Sequence, residues 1–246
     1  MASPLFDTAV LPLRTARAYR MGGEAFLHER AFDDCLERIA AARRCFQTCL
    51  IFGTASPGWS ERLCAAGVGQ VTVIEPGSTT PLPESPQLCI SVGALDTTEP
   101  LPELLAALRF AMAPDALFIG ALVGGDSLPA LRAAMREADR AEGGAAVAHV
   151  HPRIDPPSFA SLLANAGFLD AVVDVDRVTL RYAGLDELVR DLRGMAATNR
   201  LLARPRRPVL RRGRAAADAA FAALAENGKT SEIIEILHFA AWTSPT

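Results

Sequence analysis

A glycine-containing turn between an apolar run and a helix-like segment constrains this chain most. Residues 49–59 read Cys-Leu-Ile-Phe-Gly-Thr-Ala-Ser-Pro-Gly-Trp, and residues 71–75 follow as a β-branched run that ends in a carboxylate. The first half of a nucleotide-binding α/β fold consists of a strand, a glycine turn, a helix and a second strand that ends in an acidic residue. In such folds the turn contacts the ligand and the acidic residue contacts a ribose. The sequence therefore predicts an α/β fold of the cofactor-binding kind.

The remaining apolar segments alternate between strand-like and helix-like patterns. We predict helices at 24–46, 60–66, 102–112, 128–142, 156–165 and 185–202, and strands at 50–52, 71–74, 87–92, 116–123, 171–182 and 233–242. Alternating strands and helices indicate a mainly parallel sheet covered on both faces, and the last two strands, which follow the alternation, are predicted to be antiparallel edge strands. Arginines and prolines at 204–214 indicate a basic, solvated linker.

Composition limits the kinds of function that this chain can have. Hydrophobic residues make up 50% of its 246 residues and the net charge is -3, so the chain can bury a core and has no general attraction to nucleic acid. It contains no apolar run long enough to cross a membrane and no secretory signal at its start. Its five scattered cysteines indicate reduced, buried thiols, and no metal site is predicted. We expect a cytoplasmic protein.

Several motifs beyond the turn carry a family resemblance. They are Phe6-Asp7, Gly124-Gly125-Asp126-Ser127-Leu128, Val173-Asp174-Val175-Asp176, Arg181-Tyr182, Arg190 to Met195, Thr198-Asn199 and Glu235 to Trp242. With these motifs the chain resembles the class I S-adenosylmethionine-dependent methyltransferases. It is most similar to the branch that holds the methyltransferase-like assembly factor of respiratory NADH dehydrogenase and, more distantly, the malonyl-carrier-protein methyltransferase.

The resemblance implies one domain over residues 1–246 and a cofactor site in its first half. Residues 1–46 correspond to an N-terminal helical segment, 47–142 to the cofactor-fold core and 143–246 to the half that meets a substrate or partner. The implied contacts to S-adenosylmethionine come from Gly53, Thr54, Ser56 and Gly58 in the turn, Glu75 at the ribose and Leu95 after the following strand.

The turn departs from the acidic-Gly-x-Gly-x-Gly pattern of the family. Phe52 stands near the position of the usual acid, and Trp59 is bulky where the turn meets the helix. Two other phosphate-binding patterns fit no better. Gly53 and Gly58 have the spacing of a P-loop with Ser60 in place, but Trp59 replaces its lysine, and no G-x-G-x-x-G run is present. Gly53 and Gly58 can also serve merely as a strand–helix turn.

The segment from Pro76 to Pro86 is too short for the family pattern. A helix, a third strand and an acidic loop on the adenine side are expected between the second and fourth family strands, and a parallel crossover needs about a dozen residues. Four prolines in this segment exclude a helix. We therefore predict that one helix and one strand are deleted and that S-adenosylmethionine binding is weakened or lost.

Candidate chemistry outside the cofactor half rests on two residues. Asp126 can orient a guanidinium by paired hydrogen bonds, although Asp126 or Ser127 can instead cap the following helix. His151 can act as a general base, and with His149 on the same face of an extended segment it can bind a metal, but a third ligand is not evident. A surface loop is the alternative, and His238 is predicted to be buried in a strand.

Three functions are compatible with these features. The first is a methyltransferase-like protein that acts on or binds a protein partner, with cofactor binding weakened or lost. The second is a non-catalytic assembly factor for a respiratory complex, and the third is a competent small-molecule or carrier-protein methyltransferase. The resemblance leaves methylation, hydroxylation and the absence of catalysis open. A partner face is predicted from Asp126, Arg190, Arg193 and Asn199, where an arginine-bearing segment could bind.

Overall fold

The structure, a computed structural model, describes residues 4–22 and 25–245. Its helices are α1 Leu11–Arg20, α2 Phe26–Ala42, α3 Trp59–Ala65, α4 Leu101–Ala111, α5 Pro129–Glu142, α6 Pro156–Asn165, α7 Leu185–Gly194 and α8 Arg211–Ala222. Its strands are β1 Thr48–Phe52, β2 Gln70–Ile74, β3 Leu88–Val92, β4 Leu117–Val123, β5 Leu169–Tyr182, β6 Ala225–Glu226 and β7 Lys229–Trp242.

The chain divides into two compact units. The sheet unit comprises Ala25–Gly124, Ile154–Asp176 and Ile236–Thr246. The helical unit comprises Met1–Glu24, Gly125–Arg153 and Arg177–Glu235, and it contains α1, α5, α7 and α8. Strands β5 and β7 contribute residues to both units.

The sheet confirms the predicted α/β architecture. Its strand order is β2-β1-β3-β4-β7-β5, with β6 beside β7. Strand β1 is parallel to β2 and β3, β3 is parallel to β4, and β7 is antiparallel to β4. Strand β7 therefore lies between the parallel strands and the edge strand β5.

The central strands form because they are apolar on both faces. All residues of β3 and four of the five residues of β1 are buried, which is typical of strands covered by helices on both sides. Phe118 on β4 packs against Phe168 and Phe239 at ring-centroid distances of 5.1 and 4.8 Å. Gly120 brings β4 close to β3, because a Cβ atom there would lie 1.9 Å from the Ser91 carbonyl oxygen.

The segment between β2 and β3 confirms the predicted deletion. Residues 76–86 contain neither helix nor strand. Within the described residues β2 pairs with β1 alone and forms one edge of the sheet. The prolines of this segment lack the backbone N–H groups that a further strand would need.

Helix α7 is shorter than predicted. It ends at Gly194 rather than at Leu202. Ala196 adopts a left-handed φ of 54°, its N–H donates to the Arg193 carbonyl, and the N–H of Ala197 donates to the Leu192 carbonyl at 2.8 Å. These two bonds form a Schellman motif, which closes a helix. Glycine is the usual residue in the left-handed position, so an alanine at position 196 is not a recognisable stop signal.

Helices α1 and α8 are absent from the prediction, and α8 corrects the basic linker. The arginines at 211, 212 and 214 lie in α8, which packs on α5 within the helical unit. Arg212 donates to the Glu142 carbonyl at 2.9 Å, and a Cβ on Gly213 would lie 2.2 Å from Glu142 Oε1. The glycine therefore permits the close approach of the two helices. In the described part of the chain, no helix combines the length and apolar character needed to cross a bilayer.

Candidate functional site

The candidate cofactor site lies at the topological switch point of the sheet. From β1 the chain crosses to β2 on one side and then returns to β3 on the other, and ligands of open α/β sheets bind at the carboxyl ends of strands where such a reversal occurs. Gly53 follows β1 and Gly93 follows β3. We use "switch point" for the position defined by these two glycines, both in the sheet unit.

Gly53 is tightly enclosed. Its φ is 133°, and its N–H donates to the Ile74 carbonyl oxygen at 2.9 Å, which extends the pairing of β1 with β2. A Cβ atom added at Gly53 would lie 3.0 Å from the Cβ atom of Ala94. Gly53 therefore serves close packing of the two strand ends, and Ala94 fills the space beside it.

The rest of the turn is more open. Thr54 and Gly58 are exposed, and Ser56 is partly buried. Gly58 has a φ of 86° and precedes α3, and a Cβ atom there would meet no atom within 4 Å. The predicted turn residues therefore lie in one loop but in different surroundings.

The side chain of His28 on α2 lies against the other glycine of the switch point. Its Nε2 atom is 2.8 Å from the position that a Cβ atom of Gly93 would take, and Gly93 has a φ of 65°. Burial lowers the pKa of His28, opposed by the negative charges of Asp96 and Glu29. Sequence reasoning missed His28, because nothing in the pattern of α2 links that residue to the end of β3.

Trp59 is turned into the core rather than toward the switch point. Its ring stacks on Phe32 of α2 at a centroid distance of 4.2 Å, and its indole N–H donates to Glu29 Oε1 at 2.8 Å. Arg62 donates to the other oxygen of Glu29 at 3.1 Å and also hydrogen-bonds Asp33. Trp59 therefore attaches α3 to α2 within the sheet unit.

The remaining predicted cofactor residues lie in contrasting places. Glu75 follows β2 and is exposed, and no hydrogen bond or ion pair from the described residues reaches its carboxylate. Leu95 is buried in the apolar core together with Leu105 and Leu108 of α4. A ribose could approach Glu75 from solvent, whereas the Leu95 side chain is packed in the core.

The start of α5 in the helical unit is capped by a residue that the sequence analysis missed. Neither Asp126 nor Ser127 caps the helix, which corrects the predicted alternative, and Asp126 is exposed. The fully buried Glu232 instead accepts the N–H groups of Ala130 and Leu131 at 3.1 and 2.8 Å. Burial raises the pKa of Glu232, and these amide donors oppose the rise.

His151 is buried within the helical unit and is not part of an exposed loop. Only 3% of it is accessible, and its Nε2 accepts the N–H of Arg200 at 2.7 Å. Burial and the charges of Arg153, Arg200 and two further arginines lower its pKa from 6.5 to about 3. The ring is therefore neutral with its proton on Nδ1, so it presents a donor and has no free lone pair for general-base work.

His149 and His238 pair with carboxylates. His149 Nε2 lies 2.8 Å from Asp139 Oδ1, and the buried His238 on β7 has its Nδ1 3.0 Å from Asp34 Oδ2. Among residues 4–22 and 25–245, no group of three or more His, Cys, Asp or Glu side chains could hold a metal ion. Three of the five cysteines are buried, whereas Cys45 and Cys64 are exposed, which corrects the prediction for those two.

The predicted partner face is split by the structure. Arg190 and Arg193 are exposed on α7. Asn199 instead holds the loop after α7, because its Nδ2 donates to the Ala148 carbonyl at 2.8 Å and its Oδ1 accepts the N–H of Leu201 at 2.9 Å. Asn199 therefore supports the helical unit from within.

Comparisons with known proteins agree with this architecture. No protein-family model matches the chain. Rat arginine-hydroxylase NDUFAF5, mitochondrial, is 32% identical over 130 residues, which cover 52% of this chain and 38% of the relative. Malonyl-[acyl-carrier protein] O-methyltransferase of Xylella fastidiosa is 37% identical over 154 residues, which cover 62% of this chain and 50% of the relative. The chain therefore spans half or less of the length of these relatives.

A solved structure supports the fold itself. A Bacillus halodurans protein to which methyltransferase activity has been attributed superposes with a TM-score of 0.51 at 11% identity, covering 86% of this chain and 99% of that one. The mostly parallel sheet with its glycine turn defines a Rossmann-like α/β protein. Together with the sequence relatives, this fold supports an assignment to the class I S-adenosylmethionine-dependent methyltransferase superfamily.

Proposed function

We propose that this chain is a methyltransferase-like protein that binds a protein partner and has lost most of its affinity for S-adenosylmethionine. The observation that carries the proposal is the filled switch point. The Ala94 side chain lies beside Gly53, and the His28 ring lies against Gly93. These two side chains reduce the space beside the carboxyl ends of β1 and β3, where a cofactor would bind.

The edge of the sheet supports the same proposal. Residues 76–86 supply no regular element beside β2, so the described chain offers little structure to enclose an adenine ring near Glu75. Ligand sites usually enclose most of the surface of a bound molecule. Glu75 alone, exposed at the end of β2, gives the ribose one carboxylate and no enclosure. The residues at the switch point therefore fit S-adenosylmethionine poorly.

Calorimetry and thermal unfolding with S-adenosylmethionine test this part. A ligand at about one hundred times its Kd adds roughly 2.7 kcal/mol, which corresponds to roughly 5–10 °C in Tm for a protein of this size. We expect no saturable binding heat and, at millimolar ligand, a Tm shift below about 1 °C, which is far smaller than the shift for saturating binding. Saturable binding with a shift of several degrees that Glu75→Ala abolishes would refute the loss of affinity.

The partner face of the proposal is the exposed charge of the helical unit. Arg190 and Arg193 point outward from α7, and Asp126 is exposed before α5. Guanidinium groups bind carboxylates by paired hydrogen bonds, and a carboxylate binds a guanidinium in the same way. A protein segment that carries both acidic residues and arginine would match this mixture. The names of the relatives, which refer to an acyl-carrier protein and to arginine, support a protein partner.

Affinity capture with matched variants tests the partner face. Arg190→Ala with Arg193→Ala, and separately Asp126→Ala, should each reduce recovery of the partner while changing the free energy of unfolding by less than about 1 kcal/mol, as for exposed residues. Arg136→Ala with Arg140→Ala, two exposed arginines of α5, is the matched control and should leave recovery unchanged. Equal recovery with all of these folded variants would reject the face.

A competent carrier-protein methyltransferase is the second candidate. The open surroundings of Gly58 and the exposed carboxylate of Glu75 favour it, because neither is blocked by a neighbouring side chain. The calorimetric experiment separates the two candidates, since only the second requires saturable binding of S-adenosylmethionine.

A further inference from the structure

The helical unit contains a cavity that the proposed function does not use. Its volume is ≈ 150 Å³, and most of its wall is apolar, with Leu131 and Met135 from α5 and Val189 and Leu192 from α7. His151 and Thr198 contribute polar groups to the same wall. A cavity of roughly this size is enough to admit a single six-membered ring.

His151, one of the residues that line this cavity, has a buried donor without a partner. Because Nε2 of His151 accepts the Arg200 N–H, the proton of the neutral ring is on Nδ1. Nδ1 is buried and makes no hydrogen bond to any described residue. An unsatisfied buried donor is unfavourable, so an acceptor that enters the cavity and reaches Nδ1 would bind favourably.

Thr198 supplies a second donor. Its Oγ1 accepts a hydrogen bond from Arg17 Nη2 of α1 at 3.2 Å, and its carbonyl oxygen accepts one from Arg14 of the same helix. With an arginine donating to Oγ1, the hydroxyl proton is oriented away from that arginine. Burial is the main cause that lowers the pKa of Arg14 to about 10, and the positive charges of neighbouring arginines add to the decrease.

Acidic groups do not neutralise this wall. No aspartate or glutamate is among the residues that line the cavity in the described structure. Three carboxylates of the same unit have other partners: Asp7 pairs with Arg204 at 2.8 Å, Asp139 with His149, and Glu232 with the first amides of α5. The wall therefore combines donors and positive charge with an apolar interior.

We propose that this cavity binds a small monocarboxylic acid with a compact apolar body, whose carboxylate accepts hydrogen bonds from His151 Nδ1–H and the Thr198 hydroxyl. The apolar body would contact the leucine, methionine and valine side chains of α5 and α7. A neutral alcohol of the same shape would lose the attraction of the arginines, and a cation would be repelled. This proposal is independent of S-adenosylmethionine binding and of the partner face.

Calorimetry with three molecules of one shape tests the proposal on the full chain: benzoate, benzyl alcohol and benzylamine. We expect saturable benzoate binding at least about tenfold tighter than benzyl alcohol, the ratio that one charge-assisted hydrogen bond provides, and no benzylamine binding. Equal affinity for benzoate and benzyl alcohol would overturn the proposal. The absence of saturable benzoate binding up to about 10 mM would also overturn it, because a Kd above that concentration means no useful affinity.

Two variants assign the donors. His151→Gln keeps an acceptor for the Arg200 N–H but removes the Nδ1 donor, and Thr198→Val removes the hydroxyl at nearly constant volume. Each should weaken benzoate binding about tenfold. Thr179→Val, an exposed threonine of β5 in the same unit, is the matched control and should bind benzoate normally.

A direct readout protects the test against a variant that does not fold. In wild-type protein labelled with ¹⁵N-histidine, benzoate should shift the Nδ1–H resonance of His151 in proportion to occupancy. An unchanged resonance at saturating benzoate, or unchanged affinity in both folded variants, would exclude His151 and Thr198 as the carboxylate site.

Discussion

Replacing His151 with glutamine should make the stability of this protein less sensitive to mild acid. In the folded chain the pKa of His151 is about 3, against an ordinary value of 6.5, because burial and the surrounding arginines disfavour the imidazolium. Between these two values the unfolded chain binds a proton that the folded chain does not. Stability contributed by the neutral ring is therefore complete above pH 6.5 and decreases as the pH falls toward 3.

The size of the effect follows from the two pKa values. Each unit of pKa difference corresponds to about 1.36 kcal/mol, so lowering the pH from 7.5 to 5 should remove about 2 kcal/mol of the free energy of unfolding through His151 alone. His28, whose pKa burial also lowers, adds a loss of the same sign. A comparison of wild-type and His151→Gln proteins isolates the His151 contribution, because His28 is common to both.

Urea unfolding at pH 7.5 and at pH 5 measures this difference. The wild-type protein should lose about 2 kcal/mol more than His151→Gln between the two pH values. The glutamine can still accept the Arg200 N–H, so the variant should fold at pH 7.5. An equal loss in both proteins, or an NMR titration in which the His151 ring protonates near pH 6, would refute a neutral, buried His151.

Three further outcomes are expected. Glu232→Ala should lower the free energy of unfolding by about 1–3 kcal/mol in a denaturant titration, because two buried amides of α5 lose their acceptor, and Glu232→Gln should lose less. Trp59→Ala should cost about 3–5 kcal/mol in the same assay, whereas Trp59→Phe should keep the stacking on Phe32 and lose far less. Burial raises the pKa of Asp34, but hydrogen bonds and positive charge from His238 and Arg38 outweigh it and hold that pKa at about 2. Asp34 should therefore stabilise the fold above about pH 4 and lose this effect as the pH falls toward about 2. In parallel acid titrations, Asp34→Asn should lack this pH-dependent contribution.

Elements that depend on local pattern were predictable. Strands β1, β3 and β4 are continuous apolar runs, and such runs are buried on both faces wherever helices cover a sheet. The prolines of 76–86 excluded a helix on steric grounds alone, and the structure has none there. Helix α6 has the predicted bounds, with Asp155 accepting the N–H of Ser158 at its start.

Features that depend on distant residues were not predictable. Glu232 caps α5 although about one hundred residues separate them, and only the fold brings β7 to that helix end. The arginines of α8 form a basic cluster in the sequence that indicates a loop, but packing on α5 overrides that local composition. The sequence suggests His151 as a general base, but burial keeps its ring neutral, together with the charges of arginines from several separate segments.

The weak glycine turn and the filled switch point are two consequences of one arrangement. Trp59, which breaks the family pattern at the turn, stacks on Phe32 and hydrogen-bonds Glu29, so it fixes α2 against α3. His28 precedes Glu29 and lies one helical turn before Phe32, on the face of α2 that this packing orients. Trp59 therefore fixes the position of α2, the helix that carries the His28 imidazole beside Gly93. Restoring a cofactor site would therefore require changes at Ala94 and His28 together, because either change alone leaves the other side chain beside the switch point.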